Sequence, residues 1–516
     1  MTYKNVLSIS DFIRFLKVSQ DFSDQRNRNE MTSLFIFHFS FFIFHFSFAL
    51  MALLDTMGVT AIKNANCVQS IWRRLMQDYF YTLADFIGKQ LQNDEIYLCE
   101  LTAEQSDFIR FNRGKIRQPS SVEQRYLEID LIEGNRHTSG QLALSGDTST
   151  DYERVTTLLS ELREKLPHIP EDPYLLYATD VHSTETIGTN QLPEAKDALT
   201  EILTATQDHD FVGLYAAGGN FTGFANSLGQ RNWHSSYTFN LDWSFYHDKD
   251  KAVKSAYAGF NWESPTFIDK IADSLARLEI LKRKPRTIEP GQYRVYLAPA
   301  ALYEILQLLS WGGFGVKSQR TKESALLRML EEPAQHLHPS VTLTENTADG
   351  IAPAFSSKGF IKPAQVPLIK QGVYHSALVS PRSAKEYGLD TNGANDEETP
   401  VSLDLAAGDF PQAESLKTLD TGVYVNNLWY LNYSDRAACR MTGMTRFATF
   451  WVENGEIVAP LNVMRFDETL YQILGKKLIA LTAEREFIME TDTYEKRSTG
   501  STRLPGALVE EFTLTL

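Results

Sequence analysis

Only three cysteines occur in the 516 residues, Cys67, Cys99 and Cys439, far apart and without a CxxC pair. A disulfide framework and a cysteine zinc cage are thereby excluded, and a reducing, cytoplasmic location is expected. Catalytic signatures are missing as well. None of the eleven histidines is followed by glutamate, so HExxH and HExxxH are both absent, and with them the helical two-histidine zinc site. No GxSxG occurs. Gly218 and Gly223 have Walker A separation, but Phe224 stands where the lysine belongs, so the phosphate cradle fails. Gly313 and Gly315 lack the third glycine of a dinucleotide loop. Positive charge is also short. Fifty Lys plus Arg against 65 Asp plus Glu give a net charge of −15, which disfavours nonspecific contact with nucleic acid or anionic lipid.

What is present has the balance of a soluble globular chain, 43% apolar and 22% charged, and is long enough for two or three domains. One segment departs from that average. Between Glu30 and Asp55 lie 24 residues without formal charge, of which Phe35 to Phe48 read FIFHFSF twice over. A run of this length could cross a bilayer core of about 30 Å as a helix, yet acidic residues accompany Arg26 and Arg28 on its flank, and His38 and His45 fall inside it. The expectation is that residues 1–75 are a dispensable extension and that the fold begins near Met76. A membrane anchor and a packed element are the alternatives. The extension carries eight basic and five acidic side chains, so the remaining 441 residues carry −18.

Periodicity in that body mixes helices and strands. Apolar residues at three- and four-residue steps predict helices over 76–92, after Thr148, over 193–205 and over 264–284. Strands are predicted over 95–101 and 107–113, with a hairpin through Gly134-Asn135. Trp233 to Phe245 alternates strictly, which predicts a strand with one buried face and one wet face carrying His234 and Asp242. Pro285, Pro290 and Gly291 mark a boundary, giving a mixed amino-terminal α/β domain over 76–286 and a β-rich carboxyl-terminal domain over 287–516 with antiparallel sheet, an α+β protein. There Pro299 opens a helix, Asn454-Gly455 predicts a hairpin, and residues 391–399 read as an exposed loop. His336 and His338 are the one close histidine pair, flanked by Pro333 and Pro339, with no third metal ligand identified. Cys439 reads as a small buried hydrophobe.

The carboxyl-terminal hairpin is specific. The run GVYVNNLWYLNYSDRAACRMTGMTRFATFWVENGEIVAPLNVMRFDETL from Gly422, with RNWHSSYTFNLDWSFYH from Arg231 and GQYRVYLAPAALYEILQLL from Gly291, resembles the TldD/PmbA family, the former modulators of DNA gyrase associated with peptidase activity. The resemblance implies an HExxxH metallopeptidase branch and a partner branch without that motif. On the helix after Gly291, Tyr303 and Leu308 occupy the two histidine places and only Glu304 remains, so a PmbA/TldE-like member without metal or other cofactor is implied. It further implies a dimer with itself or with an HExxxH homologue, a peptide substrate, and partner or peptide contacts at Arg446, Glu453, Asn454 and Glu456. An autonomous hydrolase with an unconventional metal site at His336 and His338, and a membrane-tethered interaction protein, are the rival readings.

Overall fold

The computed structural model describes residues 65–248, 251–332 and 334–515. The tandem heptapeptide and the three readings of it lie outside the described residues. Among the described residues no helix is long and apolar enough to cross a membrane. Contacts divide the chain into Met1–Leu75 and Met76–Leu516, and the sheets and cores below belong to the second unit.

Helix α1, Ala65–Gln90, turns Met76, Phe80, Leu83, Ala84 and Ile87 inward at helical spacing. They rest on a seven-stranded sheet in the order β3-β2-β1-β5-β6-β4, with β7 also on β6. Its strands are β1 Ile96–Asn112, β2 Lys115–Glu133, β3 Arg136–Ala143, β4 Thr184–Ile187, β5 Asp210–Asn226, β6 Arg231–Asp248 and β7 Lys251–Gly259. Phe80 fits there because β5 offers no side chain at Gly223: a Cβ at that position would lie 2.5 Å from the Phe80 ring. Gly223→Ala is therefore expected to overpack this contact and lower stability by about 1–3 kcal/mol, read as a fall in the urea midpoint.

The two strands expected over 95–113 are one. β1 pairs with β2 along its length and with β5 from Leu98 to Phe111, and the polar interruption at Glu104 is absorbed because that buried carboxylate accepts from Gln124 Nε2 at 2.6 Å. Helix α2, Thr148–Lys165, is capped by the Asp147 side chain, one residue before the expected start. Helices α3, Ala195–Ala205, and α4, Ser264–Leu281, complete this half.

The second half opens with β8 Gly291–Leu297 and helix α5 Pro299–Ser310. Eleven strands follow the order β11-β10-β9-β12-β18-β16-β14-β13-β8, with β15 on β14 and β17 on β18. They span β9 Leu343–Glu345, β10 Val366–Lys370, β11 Val373–Tyr374, β12 Ser402–Leu405, β13 Gly422–Asp435, β14 Arg440–Glu453, β15 Glu456–Pro460, β16 Arg465–Thr469, β17 Leu478–Met489 and β18 Ser501–Leu514. Because β18 also pairs with β8, strands 8, 13, 14, 16 and 18 close into a ring in which each has a neighbour on both sides. The fold is α+β, with mostly antiparallel pairing and parallel exceptions at β4–β6, β8–β13 and β12–β18. The β14–β15 turn carries Asn454 at φ 53° and Gly455 at φ 78°, the left-handed pair that a two-residue hairpin demands.

Two expectations fail here for one reason. The supposedly wet face of β6 is covered: β6 is buried from Asn232 through Leu241 on both faces, and His234 Nε2 lies 3.1 Å from the Ile351 carbonyl of the second half. The loop 391–399 is likewise packed, with only Asp396 and Glu397 exposed, and Glu398 turned inward to accept from Lys317 N at 2.7 Å and Ser380 N at 2.9 Å. Both surfaces are claimed by chain far away in sequence. An aromatic core joins the halves, with Tyr215, Phe239, Trp243 and Phe267 packed in one cluster with Tyr296, Tyr424 and Phe450.

Candidate functional site

Where β6 and β7 meet the second half, a cleft of about 480 Å³ opens, within the size range of ligand sites. Its floor follows from strand period and register. Asn240, Asp242 and Ser244 share one face of β6, and β7 places Ala258, Ala256 and Lys254 opposite them. The two alanine methyls leave the Asn240 carboxamide and the Asp242 carboxyl uncovered. One wall is the first part of α5. Pro299 sets its start, Ala301, Leu302, Ile305, Leu306 and Leu309 face the core, and Tyr303 and Glu304 are left to line the cleft. Other walls come from α4, β13 and β17.

Ion pairs brace those walls. Arg277 on α4 holds Asp273 at 2.9 Å, donates to Asn426 Oδ1 of β13 and lies 4.9 Å from the Tyr424 ring. Asn426 Nδ2 in turn donates to the Lys254 carbonyl at 3.0 Å. Lys270 faces Glu486 of β17 at 3.4 Å. Asp242 and Glu304 remain with only Lys254 as a nearby cation. Burial raises both carboxyls above their ordinary range, and the Lys254 charge offsets this only in part. Burial likewise raises the Tyr303 phenol. Carboxyls tuned this way in a cleft are candidates for recognition or proton exchange.

The positions singled out from sequence fall in separate places. Tyr303 and Glu304 line the cleft, whereas Leu308 is 5% exposed and belongs to the carboxyl-terminal core. Glu453, Asn454 and Glu456 sit together at the β14–β15 turn, where Glu453 accepts from Trp451 Nε1 at 2.8 Å and pairs with Arg286. Arg446 lies seven residues along β14, roughly 24 Å away at strand rise, with its guanidinium 4.0 Å from the Trp429 ring centroid. None of these four lines the cleft. His336 is exposed on a loop, and His338 Nδ1 accepts from Ser340 N at 3.2 Å. Among the described residues no three His, Cys, Asp or Glu side chains come together as a metal cluster. Cys439 is fully buried, and burial pushes its thiol up to about 12.

Sequence reading missed Asn240, Lys254, Arg277 and Asn426. It assigned Asp242 to solvent. The available signal was an acid within a polar face that otherwise holds only His234, Ser236, Thr238, Asn240 and Ser244, a composition rich in small residues for a solvated sheet surface.

Zinc takes imidazole, thiolate or carboxylate donors, usually three from the protein at a catalytic site. No histidine or cysteine lines the cleft, and its α5 wall offers a phenol and one carboxyl. These residues do not fit a two-histidine zinc centre.

Residues 290–516 match the family model of the PmbA/TldA metallopeptidase C-terminal domain. Among curated proteins nothing matches the sequence. Solved structures share the fold. TldE from Thermococcus kodakarensis superposes with a TM-score of 0.68 at 12% identity, over 85% of this chain and 100% of that one. A protein described as a modulator of a DNA gyrase from Thermotoga maritima gives 0.63 at 13% identity, over 86% and 100%. One so described from Bacteroides thetaiotaomicron gives 0.63 at 16%, over 86% and 98%. At such identities the structural likeness is one of fold.

Proposed function

We propose that the chain, whose residues 290–516 match the PmbA/TldA metallopeptidase C-terminal domain, is a TldD/PmbA family member that acts as the partner subunit of a metallopeptidase, without a zinc site of its own. It would pair with an HExxxH-bearing homologue, or with itself, and help enclose unfolded peptide in the cleft. The observation that carries this reading is the placement of α5: Tyr303 and Glu304 line the cleft while Leu308 packs in the core, so the helix offers no pair of imidazoles where an HExxxH homologue would. Two buried free thiols, Cys99 and Cys439, accord with a cytoplasmic setting.

Metal analysis and activity measured together test the proposal. The purified full chain is expected to carry well under one zinc per chain and to show no chelator-sensitive cleavage of unfolded peptides. Added to an HExxxH homologue from the same cell, it is expected to co-elute as a complex and to raise peptide turnover. Stoichiometric zinc with chelator-sensitive cleavage by the chain alone would overturn the reading, as would failure to associate with any such homologue or with itself.

A further inference from the structure

The lining of the cleft is unequal in charge. Five carboxylates, Asp242, Asp269, Asp273, Glu304 and Glu486, face three cations, Lys254, Lys270 and Arg277. Two of the cations are already engaged, Lys270 with Glu486 at 3.4 Å and Arg277 with Asp273 at 2.9 Å. Lys254 is left to serve Asp242 on the floor and Glu304 on the α5 wall, and both carboxyls feel its charge. One cation between two desolvated carboxylates leaves a negative charge uncompensated, an expensive state in a site of low dielectric.

A second observation is independent of the acids. Asn240, 8% exposed, lies two residues from Asp242 on the floor, and its side chain has no hydrogen-bond partner among the described residues. The residue opposite it on β7, Ala258, supplies only a methyl. The Asn240 carboxamide lines the cleft and is not sealed in the core, so the floor presents an unused acceptor beside an uncompensated carboxyl. Together they match a group with several N–H donors and a positive charge.

We propose, resting on the peptide-enclosing function above, that this cleft selects peptides bearing a lysine ammonium or arginine guanidinium, which Asp242, Glu304 and the Asn240 carbonyl oxygen receive. Lys254 competes with the incoming cation and sets the strength of that selection. Protonation of the two carboxyls as pH falls through their raised range weakens it.

Two fluorescent, end-blocked unfolded peptides, identical except that one carries Lys where the other carries norleucine, test this by anisotropy on the full chain. The Lys peptide is expected to bind about tenfold tighter, a difference of about 1.4 kcal/mol, and the preference to shrink at high salt. Asp242→Asn with Glu304→Gln is expected to abolish the preference. Lys254→Met is expected to enlarge it, a gain that misfolding could not mimic. Equal binding of the two peptides, or a preference untouched by both variants, overturns the selection and leaves peptide enclosure standing. Binding of neither peptide, with or without the HExxxH homologue, overturns both.

Discussion

Replacing Arg497 by Met is expected to cost about 3–5 kcal/mol of stability, the range for stranding one partner of a buried charged network. Arg497 is 3% exposed and belongs to the loop between β17 and β18, yet its guanidinium is spent in the other sheet. Nη2 donates to Thr238 O at 3.0 Å and Oγ1 at 2.7 Å, and Nη1 reaches Gly218 O and Ser106 Oγ, both at 3.4 Å. The backbone N–H of the same residue donates to Glu104 Oε2 at 3.0 Å, and that carboxylate is 1% exposed. Burial pulls the guanidinium down to about 10, which says that dehydrating the cation opposes folding. The loss on replacement therefore comes from what is left behind, an uncompensated Glu104 and unpaired oxygens on β5 and β6. Two consequences separate this account from mere loss of packing. Glu104→Gln combined with Arg497→Met is expected to recover much of the urea midpoint, because the stranded charge is gone. Arg497→Lys is expected to fall between wild type and Met, since an ammonium keeps the charge but cannot span Thr238 and Gly218 as a planar fork does. In the Met variant the loop loses its anchor, so protease is expected to cut sooner beside Tyr494, which is 89% exposed. A Met variant within 1 kcal/mol of wild type would show that the guanidinium does not pin the two halves.

Arg497 also illustrates where a single sequence stops being readable. The strand β6 was legible from alternation alone, because period 2 is written locally in Trp233 to Phe245. Which of its faces met water was not, because the cover comes from other elements, Ile351 at His234, 117 residues away, and the α4 and α5 walls around Asp242. The Asn454-Gly455 hairpin was legible for the same local reason, its left-handed dihedrals being a property of two adjacent residues. The loop 391–399 was misread because composition cannot show that Glu398 has three donors waiting on Lys317 and Ser380. The cleft combines both cases. Helical period and Pro299 were enough to put Tyr303 and Glu304 on one helix, but the floor opposite them depends on the pairing of β6 with β7 and on Arg277 bridging α4 to β13.

Asp130→Ala is expected to destabilise the chain by about 2–4 kcal/mol near pH 5.5, and by less at pH 8, because the site it anchors depends on protonation of His137. Asp130 on β2 is 7% exposed in its side chain and takes His137 Nδ1 at 3.2 Å and Lys358 Nζ at 2.6 Å. His137 Nε2 faces Asp172 at 3.6 Å, which also holds Arg382 at 2.5 Å, and Arg136 nearby is paired with Glu171 at 3.4 Å. Lys358 and Arg382 come from the second half, so the histidine sits between two carboxylates that both reach across. The hydrogen bond to Asp130 raises His137 above its ordinary value against an opposing burial effect, with the Asp130 charge adding to the rise. Burial pushes Asp130 up, but its hydrogen bond with His137 and the Lys358 charge win and hold it below the usual carboxylate range. The signs then fix the window. A raised histidine contributes fully below its unfolded value of about 6.5 and loses that contribution as pH rises through the folded value. A depressed aspartate contributes fully above about 3.9 and loses it as pH falls through its folded value. Both are whole between about pH 4 and 6.5. The difference in melting temperature between wild type and His137→Asn is therefore expected to be largest in that window and to narrow toward pH 8, while Asp130→Ala retains at pH 8 the part of its cost that comes from Lys358. A difference that is flat from pH 5 to 8 would mean that His137 packs between the carboxylates without titrating against them.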